Sequence, residues 1–230
     1  MAVVISIRNL CWLPLMALIL SLVSLQNMAQ DAAPSADLAL KNDARTILVL
    51  GDSISAGFGI PMQQGWVALL SKELQRNDAK TRVINASISG DTTQGGVSRL
   101  PELLAKHQPN LVIIELGGND GLRGTPIQVI THNLTTLIQL SREAGSDILL
   151  AGMQIPPNYG RRYTQSFREI FPTLAQQHNT LLLPFILQKV VKKQGLMQAD
   201  GIHPTAEAQP LILQSVLPEV TKWLENVPPA

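Results

Sequence analysis

The sequence predicts an α/β protein, a three-layer α/β/α sandwich built on a mainly parallel central sheet of about five strands. Three observations carry that prediction. Short apolar runs recur along the chain, longer stretches with helical spacing separate them, and clusters of Gly, Asn, Asp and Ser follow four of the runs. Runs that are apolar on both faces suit strands covered on both sides, as in parallel sheets.

Taken in order, the first run is Thr46–Leu50, "TILVL", followed by "GDSISAGFG" and a helical stripe of Trp66, Leu69, Leu70 and Leu74. The second is Arg82–Ala86, "RVINA", followed by "SISGDT". The third is Leu111–Leu116, "LVIIEL", followed by "GGNDGLRG" and a stripe of Ile127, Ile130, Leu134, Leu137 and Ile138. The fourth is Asp147–Gly152, "DILLAG", followed by "PPNYGRRY"; the fifth is Thr180–Phe185, "TLLLPF". A last helix over about 206–224 carries Ile212, Val216, Val220 and Trp223 on one stripe, with Pro210 in its first turn or bending it. Turn chemistry alone accounts for any one polar cluster. Four clusters at the carboxyl ends of strands point further, because open α/β sheets hold their ligands on that rim.

The amino terminus differs. Arg8 is its one charge before Asp31, and an apolar run from Leu10 to Leu25 follows, the pattern of a secretory leader. Cleavage is expected near Ala29, making residues 1–29 a signal peptide, 30–43 a flexible lead-in and 44–230 one domain, periplasmic or secreted. The alternative is an uncleaved membrane anchor, since the run approaches a bilayer-spanning length of about 20 residues. With 18 Lys and Arg against 17 Asp and Glu in the whole chain, loss of Arg8 balances the charge. Aromatic residues make up 4%, so the basic surface and stacking platform of a nucleic-acid binder are both missing. The one cysteine, Cys11, lies in the leader, which leaves the domain without a disulfide or a thiol nucleophile. A monomer is expected.

Ser53 stands directly after the first run, where a strand-to-loop turn exposes a hydroxyl. A serine hydroxyl is a weak nucleophile and needs a base within hydrogen-bond reach. Of the four histidines, His107, His132 and His178 fall in or beside helical segments and read as packing or surface residues. His203 lies in "ADGIHPT", three residues after Asp200, a spacing that lets the carboxylate fold back onto the ring and fix its tautomer. Taken alone, such a segment is also an ordinary helix entry. Acyl transfer further needs donors for a developing oxyanion. Gly90 can bring a backbone N–H close, Asn119 offers a side-chain amide, and the Ser53 N–H is a third candidate.

In this order "GDSIS", "SISGDT", "GGND" and "DGIHP" resemble the blocks of the SGNH (GDSL) hydrolases, from Leu50 to Pro204. The resemblance implies a flavodoxin-like sandwich, hydrolysis of carboxylic esters and acyl thioesters, small-molecule acyl substrates and neither metal nor organic cofactor. It makes Ser53 the nucleophile, His203 the base, Asp200 its orienting carboxylate, and Gly90 and Asn119 oxyanion donors. Ile54 stands where family members commonly have leucine, which preserves apolar size. The serine lacks the G-x-S-x-G elbow of α/β-hydrolases.

Rival readings use the same residues differently. Asp200 and His203, with Asp52 or Asp120, could bind a metal for phosphoester hydrolysis, but this leaves Ser53, Gly90 and Asn119 without linked roles. A sugar acetylesterase or an acyltransferase could employ the same site. Leu122, Ile155, Pro156 and Tyr159, in the loops after the third and fourth runs, are the candidate walls of a substrate pocket.

Overall fold

The computed structural model describes residues 45–226, so the leader and lead-in expected over 1–43 lie outside the described residues. Five strands form one sheet: β1 (Thr46–Gly51), β2 (Arg82–Asn85), β3 (Leu111–Glu115), β4 (Asp147–Ala151) and β5 (Leu181–Leu183). Their order is β2-β1-β3-β4-β5, and every pairing is parallel. The helices are α1 (Ser53–Ala56), α2 (Trp66–Asn77), α3 (Thr93–His107), α4 (Gly118–Leu122), α5 (Ile127–Glu143), α6 (Arg161–His178) and α7 (Gln209–Asn226). Helix α2 packs on α7, while α3 packs on α5 and α5 on α6.

The central strands explain why the sheet sits where it does. Every residue of β1 and of β3 is buried. An Ile or Leu side chain fully removed from water contributes about 1.5–3 kcal/mol, and truncating Leu50 or Ile113 to alanine costs about 2–5 kcal/mol through the cavity left behind. Glu115 at the end of β3 is the exception in kind, a carboxyl with no exposure at all.

Strand order reverses about β1: the first crossover leads to β2 on one side, and the later ones to β3, β4 and β5 on the other. The register pairs Gly51 with Glu115, which brings the ends of β1 and β3 level. The loops that begin at Asp52 and Leu116 therefore open side by side at the switch point, where such sheets leave a crevice.

Element ends depart from the sequence reading where local chemistry decides. β5 stops at Leu183 rather than Phe185: beyond Pro184 the chain bends, and the Ile186 N–H reaches the Gly152 carbonyl at 3.0 Å. Gly152 passes that corner so closely that a Cβ there would lie 2.2 Å from the Pro184 carbonyl oxygen. The last helix opens with a 3-10 turn over Ala206–Ala208, and Pro210 sits in the first turn of α7. Pro218 lies inside α7 and cannot donate to the Gln214 carbonyl; Lys189 Nζ donates to that oxygen instead, at 2.8 Å.

Candidate active site

The turn after β1 is shaped by its own residues. Asp52 caps α1, its Oδ1 accepting from the Ile54 N–H at 3.0 Å, and the single helical turn ends at Gly57, whose φ of 75° is left-handed. Ser53 is thereby the first helical residue at the end of a buried strand, 8% exposed.

His203 comes from a second loop, 150 residues away along the chain. Met197 and Pro204 bridge the arms of that loop, and Asp200 lies at its tip. Asp200 Oδ1 accepts from the backbone N–H groups of Ile202 at 2.9 Å and His203 at 3.0 Å, so the carboxylate turns back toward the ring. Its Oδ2 is 2.6 Å from His203 Nδ1, and His203 Nε2 is 2.9 Å from Ser53 Oγ. With the Nδ1 proton directed at the carboxylate, Nε2 is left to accept from the hydroxyl. The hydrogen bond from the ring, then those from the His203 and Ile202 N–H groups, hold the Asp200 carboxyl down at about 2. Phe58 covers the imidazole, its ring centroid 4.4 Å from that of His203.

The loop after β2 is held by Arg99. Its Nε donates to Asp91 Oδ2 at 2.8 Å, and its Nη1 donates to the Ala86 carbonyl. Gly90 adopts a φ of 82°, is exposed, and its carbonyl accepts from Arg123 Nη2 at 3.1 Å. It is not among the residues that line the cavity beside Ser53. Asn119 does line that cavity, and its Nδ2 donates to the Asp91 carbonyl at 2.9 Å and to Asp52 Oδ2 at 3.2 Å.

Two further carboxyls lie beside Ser53: Asp52, which the sequence reading named only as a candidate metal ligand, and Glu115, which it did not name. Glu115 Oε2 accepts from Ser55 Oγ at 2.5 Å and from the Asp52 N–H at 3.3 Å, while its Oε1 is buried without a hydrogen-bond partner. Burial, then the charge of Asp52, pushes the Glu115 carboxyl well above the usual carboxylate range. Burial likewise raises Asp52, to about 6, against the lowering effects of the Ile54 N–H and His203. A lone Glu inside the apolar run "LVIIEL" was the available signal for Glu115.

A cavity of about 460 Å³ opens beside Ser53 and His203. Leu122, Ile155 and Pro156 line it. Tyr159 does not. Pro157–Tyr159 form a 3-10 turn that carries the ring into a separate surface cleft with Pro126, Ile127 and Tyr163. Further apolar lining comes from Ile54, Met153, Pro157, Phe185, Leu187, Val191, Met197 and Ile202. The segment after β5 opens on the same rim as the others, so rim position rather than any motif could have pointed to Phe185 and Leu187.

The residues of the metal reading have other partners. Asp120 Oδ1 and Oδ2 accept from Thr93 Oγ1 at 2.7 Å and the Thr93 N–H at 2.8 Å, and Asp52 is bonded as above. Among the described residues no three of His, Cys, Asp and Glu converge to hold a metal ion.

A serine, an imidazole and a carboxylate in line at the switch point of a 2-1-3-4-5 sheet, beside an apolar cavity, define the SGNH class of hydrolase. The chain belongs to the GDSL-like Lipase/Acylhydrolase family, whose model matches residues 49–210. It is 52% identical over 181 residues to esterase TesA of Pseudomonas aeruginosa, covering 79% of this chain and 90% of that protein. It is 48% identical over 169 residues to thioesterase 1/protease 1/lysophospholipase L1 of Escherichia coli, covering 74% and 80% respectively. Among solved structures, that of TesA superposes with a TM-score of 0.75 over 77% of this chain and 99% of the other. An esterase EstA from Pseudoalteromonas, inhibited by monoethylphosphonate, superposes at 0.76 with 42% identity, over 79% and 100%.

Proposed function

We propose that this protein hydrolyses carboxylic esters and acyl thioesters through an acyl-enzyme on Ser53. The observation that carries the reading is the line from Ser53 Oγ through His203 to Asp200, at 2.9 and 2.6 Å, opening on the 460 Å³ cavity. Ser53 Oγ attacks the acyl carbon as its proton passes to His203 Nε2. The carbonyl oxygen gains charge, and the N–H groups of Ser53 and Gly90 and the Asn119 amide stabilise it. Nε2–H then protonates the departing alcohol or thiol, the acyl–oxygen or acyl–sulfur bond breaks, and water repeats the sequence to release the acid and restore the serine. Asp200 holds Nδ1–H and stabilises the imidazolium in both halves.

The names of the relatives, esterase, arylesterase and thioesterase/lysophospholipase, support the ester and thioester scope. The apolar walls support an acyl chain as the group bound, in preference to acetyl. Residues 1–29 act as an export leader and 44–230 as the hydrolase domain, acting as a monomer; no helix among the described residues is long and apolar enough to cross a membrane. Mass spectrometry of the exported protein is expected to find its amino terminus near Gln30, and an intact Met1 in the membrane fraction would reject cleavage.

A fluorophosphonate probe is expected to label the wild type and not Ser53→Ala. Equal labelling of a folded Ser53→Ala would place the nucleophile elsewhere. A graded series of p-nitrophenyl esters and acyl-CoAs then reads the balance of ester and thioester activity.

A further inference from the structure

Ser53 and His203 come from two loops, so their 2.9 Å separation depends on how those loops are held relative to each other. Each loop is closed on its own side. In the first, the Phe58 N–H donates to the Ser53 carbonyl at 3.0 Å. In the second, the Gln198 N–H donates to the His203 carbonyl at 2.7 Å, the Gly201 N–H to the Gln198 carbonyl at 2.9 Å, and the Thr205 N–H to the Leu196 carbonyl at 2.9 Å. Asp200 and His203 therefore form their pair wholly within the second loop.

Away from the reacting atoms, the side chain of Gln198 joins the two. Its Nε2 donates to the Phe58 carbonyl at 2.8 Å and to the Pro204 carbonyl at 3.0 Å. One amide thus gives one hydrogen to the residue whose N–H holds Ser53, and the other to the residue that follows His203. Gly59 makes room for it, with a φ of 74°; a Cβ there would lie 2.5 Å from Gln198 Oε1. Phe58 completes the contact by laying its ring on the imidazole.

We infer that Gln198 is a positioning residue that sets the Ser53–His203 distance by tying the nucleophile turn to the histidine loop. It touches no reacting atom. Its action falls on kcat, because proton transfer from Ser53 needs the two side chains within hydrogen-bond reach, and a displacement of about 1 Å can lower a rate by roughly 10²-fold. The inference rests on the catalytic reading of Ser53, His203 and Asp200.

The test uses Gln198→Met, which keeps length and apolar bulk but has no donor, and Gln198→Ala. As a second route, Gly59→Ala pushes against the same amide from the other side. Folding is checked by circular dichroism and thermal melting, and kcat, KM, the acid limb of the kcat profile and the fluorophosphonate labelling rate are measured. The expected result is a kcat and labelling rate lowered about 10-fold or more, KM within about twofold of wild type, and an acid limb whose midpoint stays in place, because the Asp200–His203 pair is intact. Wild-type kcat in folded Gln198→Met overturns the inference, as does a loss confined to KM or a shifted midpoint. Should Gln198→Met and Gln198→Ala both fail to fold, Gly59→Ala decides, with the same outcomes. Failure of the catalytic reading shows separately as labelling of Ser53→Ala.

Discussion

Asn119 Nδ2 lies 3.2 Å from Asp52 Oδ2, so the amide proposed to meet the oxyanion is oriented by the residue that immediately precedes Ser53. Its other donation, to the Asp91 carbonyl at 2.9 Å, ties it to the loop that carries Gly90. Three of the four sequence blocks therefore meet at one amide. Both amide hydrogens are engaged, and the bond to Asp52 is the longer of the two. Asn119→Ala is expected to lower kcat by roughly 10²–10³ with little change in KM, since the contact strengthens in the transition state. Steady-state kinetics on a folded variant decide, and an unchanged kcat sinks the oxyanion role.

Asp52 holds this geometry at a cost in stability. Its carboxyl is raised to about 6 from an ordinary 3.8, first by burial. The folded state therefore binds the proton more tightly than the unfolded chain, and between about pH 4 and pH 6 stability falls as pH rises. Glu115, raised for the same first reason, acts in the same direction. Asp52→Asn keeps an oxygen for the Ile54 N–H but turns an amide on Asn119. The variant is expected to flatten the decline in denaturation midpoint between pH 4 and pH 6 while kcat falls, a trade of activity for stability. A slope equal to wild type would show that Asp52 is not the group responsible.

Much of this arrangement was legible in the chain, and the exceptions share a cause. β1 and β3 are readable because their residues are apolar on both faces, and Ser53, Asn119, Asp200 and His203 because each follows such a run or lies in a compact Asp–His segment. Periodicity does not report what two distant loops do to each other. Hence the Asp52–Glu115 and Asn119–Asp52 contacts emerge only when the sheet brings the ends of β1 and β3 level, and the Gln198 link only when the histidine loop meets the turn after β1. Tyr159 shows the converse error: its neighbours Ile155 and Pro156 line the cavity, and a single 3-10 turn carries the ring elsewhere. Lys189 donates to the Gln214 carbonyl that Pro218 leaves open, a long-range fact no local pattern encodes.

The cavity walls give a specificity prediction. Val191 lines the cavity yet is 47% exposed, so a larger side chain there can fill space without overpacking the core. Val191→Trp is expected to reduce kcat/KM for long acyl esters by about 10-fold while leaving acetyl esters within about twofold, a difference of about 1.4 kcal/mol in transition-state binding. A parallel fall across all chain lengths would show that the acyl chain does not pass Val191.

The last prediction concerns Asp200, whose carboxylate accepts three hydrogen bonds from the loop that carries His203, the proposed base. These bonds depress it to about 2, so its stabilising contribution is present above about pH 4 and lost only as the pH falls toward 2. Because its side chain is 39% exposed, solvent screens that contribution and the effect on folding is small. Both Asp200→Ala and Asp200→Asn are therefore expected to fold, and their effects to appear in catalysis. Alanine leaves the imidazole free to rotate and its protonated form less stabilised. Asparagine can keep an oxygen on the Ile202 and His203 N–H groups but presents an amide to Nδ1, which forces the ring proton onto Nε2, the wrong tautomer for a base. Asp200→Asn is expected to lower kcat by roughly 10³–10⁴, at least as far as alanine, although it is the closer match in shape. In Asp200→Ala the acid limb of the kcat profile is expected to move to lower pH, because a neighbouring carboxylate favours the imidazolium. Kinetics from pH 4 to pH 9 on both variants check this, and an acid limb that stays at its wild-type pH in Asp200→Ala overturns the pairing with His203.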